Sequence, residues 1–319
     1  EVVEIARKYN TDAFIAEKEE QRQQFWSDRK NLGAIARHTN AFKLNEDVVI
    51  PLDRLPDFAD YIDRLNMRKE LANCISAIDG LAAVAAKGGR AATADPGPEK
   101  LAAFRAALDE KKKWYAACLA NIDSLAAGIT GSNLFMYNKS VFDALQSGEI
   151  KYAFDEVVDY YRKFFHGYDE MLSRLDEAAA KERSRKIIVA THMHAGDGNV
   201  HVNIPVHSSD YLMLREADET AGIIMRETVR LGGVISGEHG IGLTKLRFID
   251  DAVLSDYQSY KEKADPDGLF NPGKLSRCLP LSTVYTPSFN LLELEAFILK
   301  ATDLENLSTS IAPCVRCGK

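Results

Sequence analysis

The stretch Ile187-Ile188-Val189-Ala190-Thr191-His192-Met193-His194-Ala195-Gly196-Asp197-Gly198-Asn199-Val200-His201-Val202-Asn203-Ile204-Pro205-Val206 decides the fold class. Its β-branched opening, Ile187 to Thr191, reads as one strand. Ala195 to Asn199, with two glycines, reads as a turn, and Val200 to Val206 alternates as a second strand, so the segment is an antiparallel hairpin. Side chains alternate faces along a strand. One face of the hairpin is therefore apolar (Val200, Val202, Ile204), and the other presents His194, His201 and Asn203 together. His192 shares the face of His194 and reads as either a supporting group or a surface residue. Asp197 reads as a turn residue that bonds its own backbone.

Working outward, a second segment carries related chemistry: Gly237-Glu238-His239-Gly240-Ile241-Gly242. The chain has 7 histidines, and four of them (His192, His194, His201, His239) fall in these two segments. Histidine is the common neutral metal ligand and the common general base near neutral pH. Two imidazoles and one carboxylate, here His194, His201 and Glu238, suit a divalent metal with an open position, whether zinc, iron or manganese. His239 is then left to act as a base. A single strand histidine, or a Gly-Asp-Gly-Asn turn alone, is ordinarily structural. The matched strand parity, with glycines on both sides of Glu238-His239, favours a reaction centre. His38, His166 and His207 stand alone and read as structural.

The rest of the chain sets the context. Residues 1 to about 37 read as mostly helical. Asp47-Val48-Val49-Ile50-Pro51 reads as a short buried strand, and Pro56 opens a helix. Ala-rich segments at Leu71–Ala86 and Leu101–Leu125 carry apolar residues at helical spacing, separated by Gly88-Gly89 and Asp95-Pro96-Gly97-Pro98. A further helix is expected over Phe154–Arg183, so that about 64–183 forms a helical insertion. Beyond the hairpin, Ser209–Leu231 reads as an amphipathic helix, Gly232–Ser236 as a short strand and Thr244–Lys263 as a helix. The expected fold is α+β: an antiparallel sheet with helices on one face, plus the insertion. Residues 1–280 form the domain and 281–319 a tail.

Composition narrows the classes of function. With 319 residues, 46% hydrophobic and 27% charged, the chain is an ordinary globular protein. Its net charge of −7 argues against a nucleic-acid footprint. No apolar run reaches the roughly 20 residues of a membrane span. The 5 cysteines are scattered, which argues against a disulfide framework and fits a reducing cytoplasm, with peripheral attachment at the inner face of the membrane as an option. The chain opens at Glu1 without an initiator Met or signal peptide, so it is expected to be a piece of a longer protein.

Three motifs carry a family resemblance: His194-Ala-Gly-Asp-Gly-Asn-Val-His201, Ile235-Ser-Gly-Glu-His-Gly-Ile-Gly242 and Asp265-Pro-Asp-Gly-Leu-Phe-Asn-Pro-Gly-Lys274. Phe25-Trp26-Ser-Asp-Arg29-Lys30 and Asp47–Pro51 add to it. In this order they resemble the C-terminal substrate domain of FAD-linked oxidases of the vanillyl-alcohol-oxidase type. Within that type they resemble the branch of D-lactate dehydrogenase, the glycolate oxidase FAD subunit and D-2-hydroxyglutarate dehydrogenase. The resemblance covers roughly 1–60 and 185–280. It implies a ferredoxin-like α+β domain that uses FAD. His194, His201 and Glu238 would be metal ligands and His239 the base. Arg29, Lys43 and Asn203 would contact substrate, and Asn199 and Asn271 would lie near the flavin. No glycine-rich pyrophosphate loop precedes this domain, so the family's N-terminal FAD domain is expected outside this sequence. Cys314-Val-Arg-Cys317 resembles the start of a ferredoxin-type motif, implying a 4Fe-4S cluster and an iron–sulfur electron acceptor in the intact protein.

The function these residues imply is oxidation of a small D-2-hydroxy acid, with hydride passing to FAD and electrons onward to iron–sulfur centres. Three other readings stay open: a metal- or flavin-docking module without catalysis of its own, a helical interaction module, and a metal hydrolase.

Overall fold

A computed structural model describes residues 2–8, 15–32, 41–87, 96–125, 139–207, 210–242, 245–272 and 275. The chain divides into two units. The smaller holds α1 (Val2–Lys8) and α2 (Glu19–Leu32), and the larger runs from Lys43 to Tyr285. The larger unit is α+β, as the hairpin and its helical surroundings predicted.

Its sheet has three strands in the order β1-β3-β2, where β1 is Ala41–Val49, β2 Ala190–His194 and β3 Asn199–His207. β2 and β3 are antiparallel in the register Ala190↔Asn203, His192↔His201, His194↔Asn199. At the end of β1 the Ile50 N–H donates to the Gly198 carbonyl at 2.9 Å, just ahead of β3, so β1 also runs antiparallel to β3. Gly198 lies at φ +71, and a Cβ there would run into the Ile50 carbonyl oxygen. The turn thus needs glycine for both its backbone angle and its closeness to β1.

The apolar residues of β3 (Val200, Val202, Ile204, Val206) are all buried, and α8 (Tyr211–Arg230) packs against this strand. α8 supplies Ala217, Ala221, Ile224 and Met225 to the interior. Each buried valine, isoleucine or methionine here contributes about 1.5–3 kcal/mol by leaving water. That burial fixes the register, because a one-residue slip would turn the valines out and the histidines in. The Asp210 side chain caps α8 by accepting from the Leu212 and Met213 N–H groups.

The helical layer is built on α3 (Leu55–Lys87), which packs against α4 (Pro98–Ala120) and α7 (Asp169–Ser184). α5 (Val141–Gln146) and α6 (Asp155–Phe164) add Val141, Phe142, Val157 and Tyr161 to the same core. Phe104 is fully buried there, edge-on to Phe165 at 4.8 Å between ring centroids. Cys74 and Cys118 are buried and free, and burial pushes their thiols up to about 12 and about 11, so neither is a reactive thiolate. Asn66 of α3 both donates to the Val189 carbonyl and accepts from the Val189 N–H, each at 2.8 Å, which ties this layer to the start of β2.

Several boundaries differ from the sequence expectation. β1 is nine residues long and starts at Ala41, well ahead of the Asp47 expected from the apolar run. β2 starts at Ala190, since Ile187 and Val189 are buried without joining the sheet. The expected Phe154–Arg183 helix is two helices, α6 and α7, because the chain turns at His166-Gly167 with Gly167 at φ +85. Gly232–Ser236 forms only a bridge, Val234 to Val49. The expected Thr244–Lys263 helix begins later, as α9 (Asp251–Ala264), after a short 3-10 turn at Leu246–Phe248, because Asp250 takes the N-cap by accepting from the Ala252 N–H. The tail 281–319, with Cys314 and Cys317, lies outside the described residues. No helix among the described residues is long and apolar enough to cross a membrane.

Candidate functional site

The polar face of the hairpin and the Gly237–Gly242 loop come together. β1 makes this possible. One of its edges pairs with β3, and Val49 exchanges two 2.9 Å hydrogen bonds with Val234, which brings the chain back beside the sheet just before Gly237. Gly237 sits so close to the sheet that a Cβ would run into Asp47 Oδ2 and lie 2.6 Å from Asn199 Oδ1. Only glycine lets the following two side chains reach the hairpin.

His194, His201 and Glu238 each place a ligand atom within 4.8 Å of the other two. The His201 Nε2 lies 3.1 Å from Glu238 Oε1, yet it is buried and without a hydrogen-bond partner. The contact is close but not aligned as a hydrogen bond, which is how two lone pairs look when they converge on a common point. A buried imidazole nitrogen left in this state costs about 1–3 kcal/mol. A cation at that point would relieve it, so the donor set fits a divalent metal. His201 is buried, whereas His194 and Glu238 are exposed, so the set is closed beneath and open above.

His239 stands beside this set. Its ring is 38% exposed, with Nδ1 3.8 Å from Asp47 Oδ1 and Nε2 3.6 Å from Glu238 Oε1. Its ring centroid is 5.0 Å from that of His201. It is thus a solvent-reachable imidazole next to the three ligand atoms.

Two residues to which the sequence reading gave no site role of their own complete the surroundings. His192, left ambiguous between support and surface, stacks on His201 with ring centroids 4.4 Å apart and an interplanar angle of 6°. Its Nδ1 meets the Asn203 amide nitrogen at 3.0 Å. If that amide donates, the buried Asn203 Oδ1, which has no hydrogen-bond partner, is left to accept from a ligand. The strand register that pairs His192 with His201 was the available signal.

Asp47, read as the start of an apolar strand and as part of the weaker family match, is fully buried. Its Oδ2 accepts the His239 backbone N–H at 2.9 Å, and its Oδ1 pairs with the Lys245 ammonium, which also donates to the Asp47 carbonyl at 2.7 Å. Burial raises the pKa of this carboxyl, but the Lys245 and His239 donors and the nearby positive charge outweigh it and hold the group below the usual carboxylate range. A charged residue within an apolar strand needs a buried partner, and that was the signal for it.

The other expected site residues are placed as follows. Asn199 is buried at the start of β3, with its Oδ1 against Gly237 and no hydrogen-bond partner. Asn271 is exposed beyond α9, at φ +46. Lys43 lies in β1 and Arg29 in α2, but both side chains fall outside the described residues.

Comparison with known proteins agrees with this fold and these motifs. The model of the family "FAD linked oxidases, C-terminal domain" matches residues 1–78 and 117–275, leaving 79–116, a part of the helical layer, outside the match. The glycolate oxidase subunit GlcD of Escherichia coli (strain K12) is 36% identical over 134 residues, which is 39% of this chain and 27% of that protein. D-lactate dehydrogenase of Archaeoglobus fulgidus is 36% identical over 99 residues, covering 29% of this chain and 21% of its own length. D-2-hydroxyglutarate dehydrogenase of Xanthomonas citri pv. viticola is 34% identical over 88 residues, 26% of this chain and 19% of that protein. The matches thus span about a fifth to a quarter of the length of these relatives. By fold, motif order and the extent of the family match, the chain belongs to the C-terminal domain family of the FAD linked oxidases.

Proposed function

We propose that this chain supplies the metal- and substrate-binding part of a flavin-dependent dehydrogenase that oxidises a small 2-hydroxy acid of the glycolate, D-lactate or D-2-hydroxyglutarate kind. The observation that carries the reading is the convergence of His194, His201 and Glu238 on one point, with His201 Nε2 buried and unpartnered and His239 alongside.

In this reading His194, His201 and Glu238 hold a zinc, iron or manganese ion. Bound there, the metal would supply Lewis acidity toward the substrate hydroxyl. Flavin, when bound, would supply the redox chemistry as the hydride acceptor. His239 takes the hydroxyl proton at Nε2, the ring nitrogen on the Glu238 side, while Nδ1 faces Asp47. The unpartnered Asn203 Oδ1 accepts a hydrogen bond from the substrate, and His192 holds the amide in that orientation. By the family resemblance, Arg29 and Lys43 are the cations for the substrate carboxylate, which suits the planar fork of an arginine. Asn199 and Asn271 would border the flavin, which the family's N-terminal FAD domain would hold. Cys314 and Cys317 would open the iron–sulfur segment that receives electrons through a 4Fe-4S cluster, in a cytoplasmic protein attached at most peripherally to the membrane.

Elemental analysis beside substrate-dependent dye reduction, with FAD and its domain supplied, tests this. A single zinc, iron or manganese is expected per wild-type chain and none in His201→Ala. His239→Ala should keep the metal and lose turnover. Metal retained in His201→Ala would overturn the ligand set, and undiminished turnover in His239→Ala would overturn the base. A second reading, a metal- or flavin-docking module without turnover of its own, is favoured by the exposure of His194, Glu238 and His239. It predicts metal without turnover even when the FAD domain is present.

A further inference from the structure

We propose that the buried carboxylate of Asp47 is the positioning residue that docks the Glu238–His239 loop onto the sheet, setting both the reach of Glu238 toward the hairpin histidines and the seat of the His239 ring. The end of β1 holds this loop at successive points. Val49 pairs with Val234 ahead of it by two 2.9 Å hydrogen bonds, and Asp47 Oδ2 accepts the His239 N–H at 2.9 Å within it. Asp47 Oδ1 pairs with the Lys245 ammonium on its far side. Gly237 lies flush against the same carboxylate, with no room for a Cβ.

The division of labour within Asp47 separates positioning from a plain buried ion pair. One oxygen is given to Lys245, which is only 3% exposed and also stands 3.6 Å from Glu46 Oε2. The other is given to a backbone N–H in the middle of a glycine-rich loop whose Glu238 and His239 side chains are exposed. An ion pair alone would not require the second contact. Glu238 Oε1 reaches within 3.1 Å of the buried His201 Nε2 from a backbone that is pinned one residue later. Removing the pin leaves Glu238, 52% exposed, free to turn into solvent, and frees the His239 Nδ1 edge from its place 3.8 Å from Asp47.

Two double variants isolate this role. Asp47→Asn/Lys245→Met removes the buried charge pair but keeps an oxygen able to accept the His239 N–H. Asp47→Ala/Lys245→Met removes the pair and the acceptor together. Replacing both charges avoids leaving one buried and unpaired, the change most damaging to folding. Two readouts apply to the intact chain: amide hydrogen exchange at His239 without metal, and affinity for zinc alone. The zinc arm rests on the ligand set proposed above, whereas the exchange arm does not.

In the Asn variant both readouts should stay within about fivefold of wild type, since an amide oxygen, a weaker acceptor than the carboxylate, still takes the His239 N–H. In the Ala variant His239 exchange should speed up about tenfold or more relative to core amides. Zinc binding should weaken about 10–100-fold, the usual effect of losing a partner that orients a ligand. Equal exchange and equal zinc affinity in the two double variants would overturn the proposal, even if both melt earlier than wild type. If wild type binds no zinc while His239 exchange still separates the two variants, the anchor stands and the metal assignment falls.

Discussion

Gly198→Ala is the substitution whose cost the structure defines most sharply, because Gly196, two residues earlier in the same turn, serves as its control. Gly198 lies at φ +71, where a side chain adds about 1–2 kcal/mol of strain. The new Cβ would also run into the Ile50 carbonyl oxygen and stand 3.3 Å from its carbon. Both are backbone atoms and cannot turn aside as a flexible side chain could, and overpacking of this kind costs about 1–3 kcal/mol. The relief available is to push β1 away from the turn, which gives up the 2.9 Å bond from the Ile50 N–H to the Gly198 carbonyl, worth about 1 kcal/mol. Together these give a loss of about 3–6 kcal/mol and, at about 2–4 °C per kcal/mol for a domain of this size, a melting temperature lower by roughly 6–24 °C. At Gly196 a Cβ meets nothing within 4 Å, and Gly196→Ala should stay within about 1 kcal/mol of wild type, on the stable side, by restricting the unfolded chain. Urea unfolding of the two variants followed by circular dichroism measures the difference. If they unfold within about 0.5 kcal/mol of each other, the close approach of β1 to the turn is refuted. Gly198→Asn distinguishes the two terms. Asparagine tolerates the left-handed angle but still carries a Cβ, so it should rescue little.

Other predictions concern the helical layer and the caps. Phe104→Ala should cost about 3–5 kcal/mol, since the ring is fully buried among Tyr160, Phe164 and Phe165, and a loss under about 1 kcal/mol in urea unfolding would contradict that packing. Burial raises the pKa of the Glu70 carboxyl, but Lys186 at 2.6 Å and Arg183 at 2.9 Å outweigh it and hold the group below its ordinary 4.5. A depressed pKa in the folded state contributes stability that is present above 4.5 and lost as the pH falls through the folded value. Glu70→Gln should therefore cost about 1–3 kcal/mol at neutral pH and lose stability less steeply on acidification than wild type, as read from unfolding midpoints across the acid range. Equal slopes would refute the pairing. Asp210→Ala removes the α8 cap and the 2.6 Å pair with Arg185, and should cost about 1–2 kcal/mol, with no change in zinc affinity.

The α+β class and the two faces of the hairpin were legible in the chain of residues alone. Both follow from local rules: β-branched runs, a glycine turn, and strict alternation of valines with His201 and Asn203. The motifs also carried the family, because their residue types and order are fixed by chemistry that survives in one dimension. Boundaries were legible only where a cap or breaker stood in the chain. Where caps competed, as at Asp250, or where strand pairing extended a segment back to Ala41, the outcome depended on hydrogen bonds made with distant residues.

How the pieces meet depended on packing between segments far apart in the chain. That His192 stacks on His201 follows from the register. That Glu238 reaches His201 across 37 residues of chain follows from the Val49–Val234 bridge. Asp47 is the clearest case. In sequence it is the polar start of an apolar strand. In the fold its carboxylate bonds a lysine and a backbone amide that lie 198 and 192 residues away. A buried charge must find its partners somewhere, so the sequence requires that they exist, but only the packing of strand, loop and hairpin determines which groups they are.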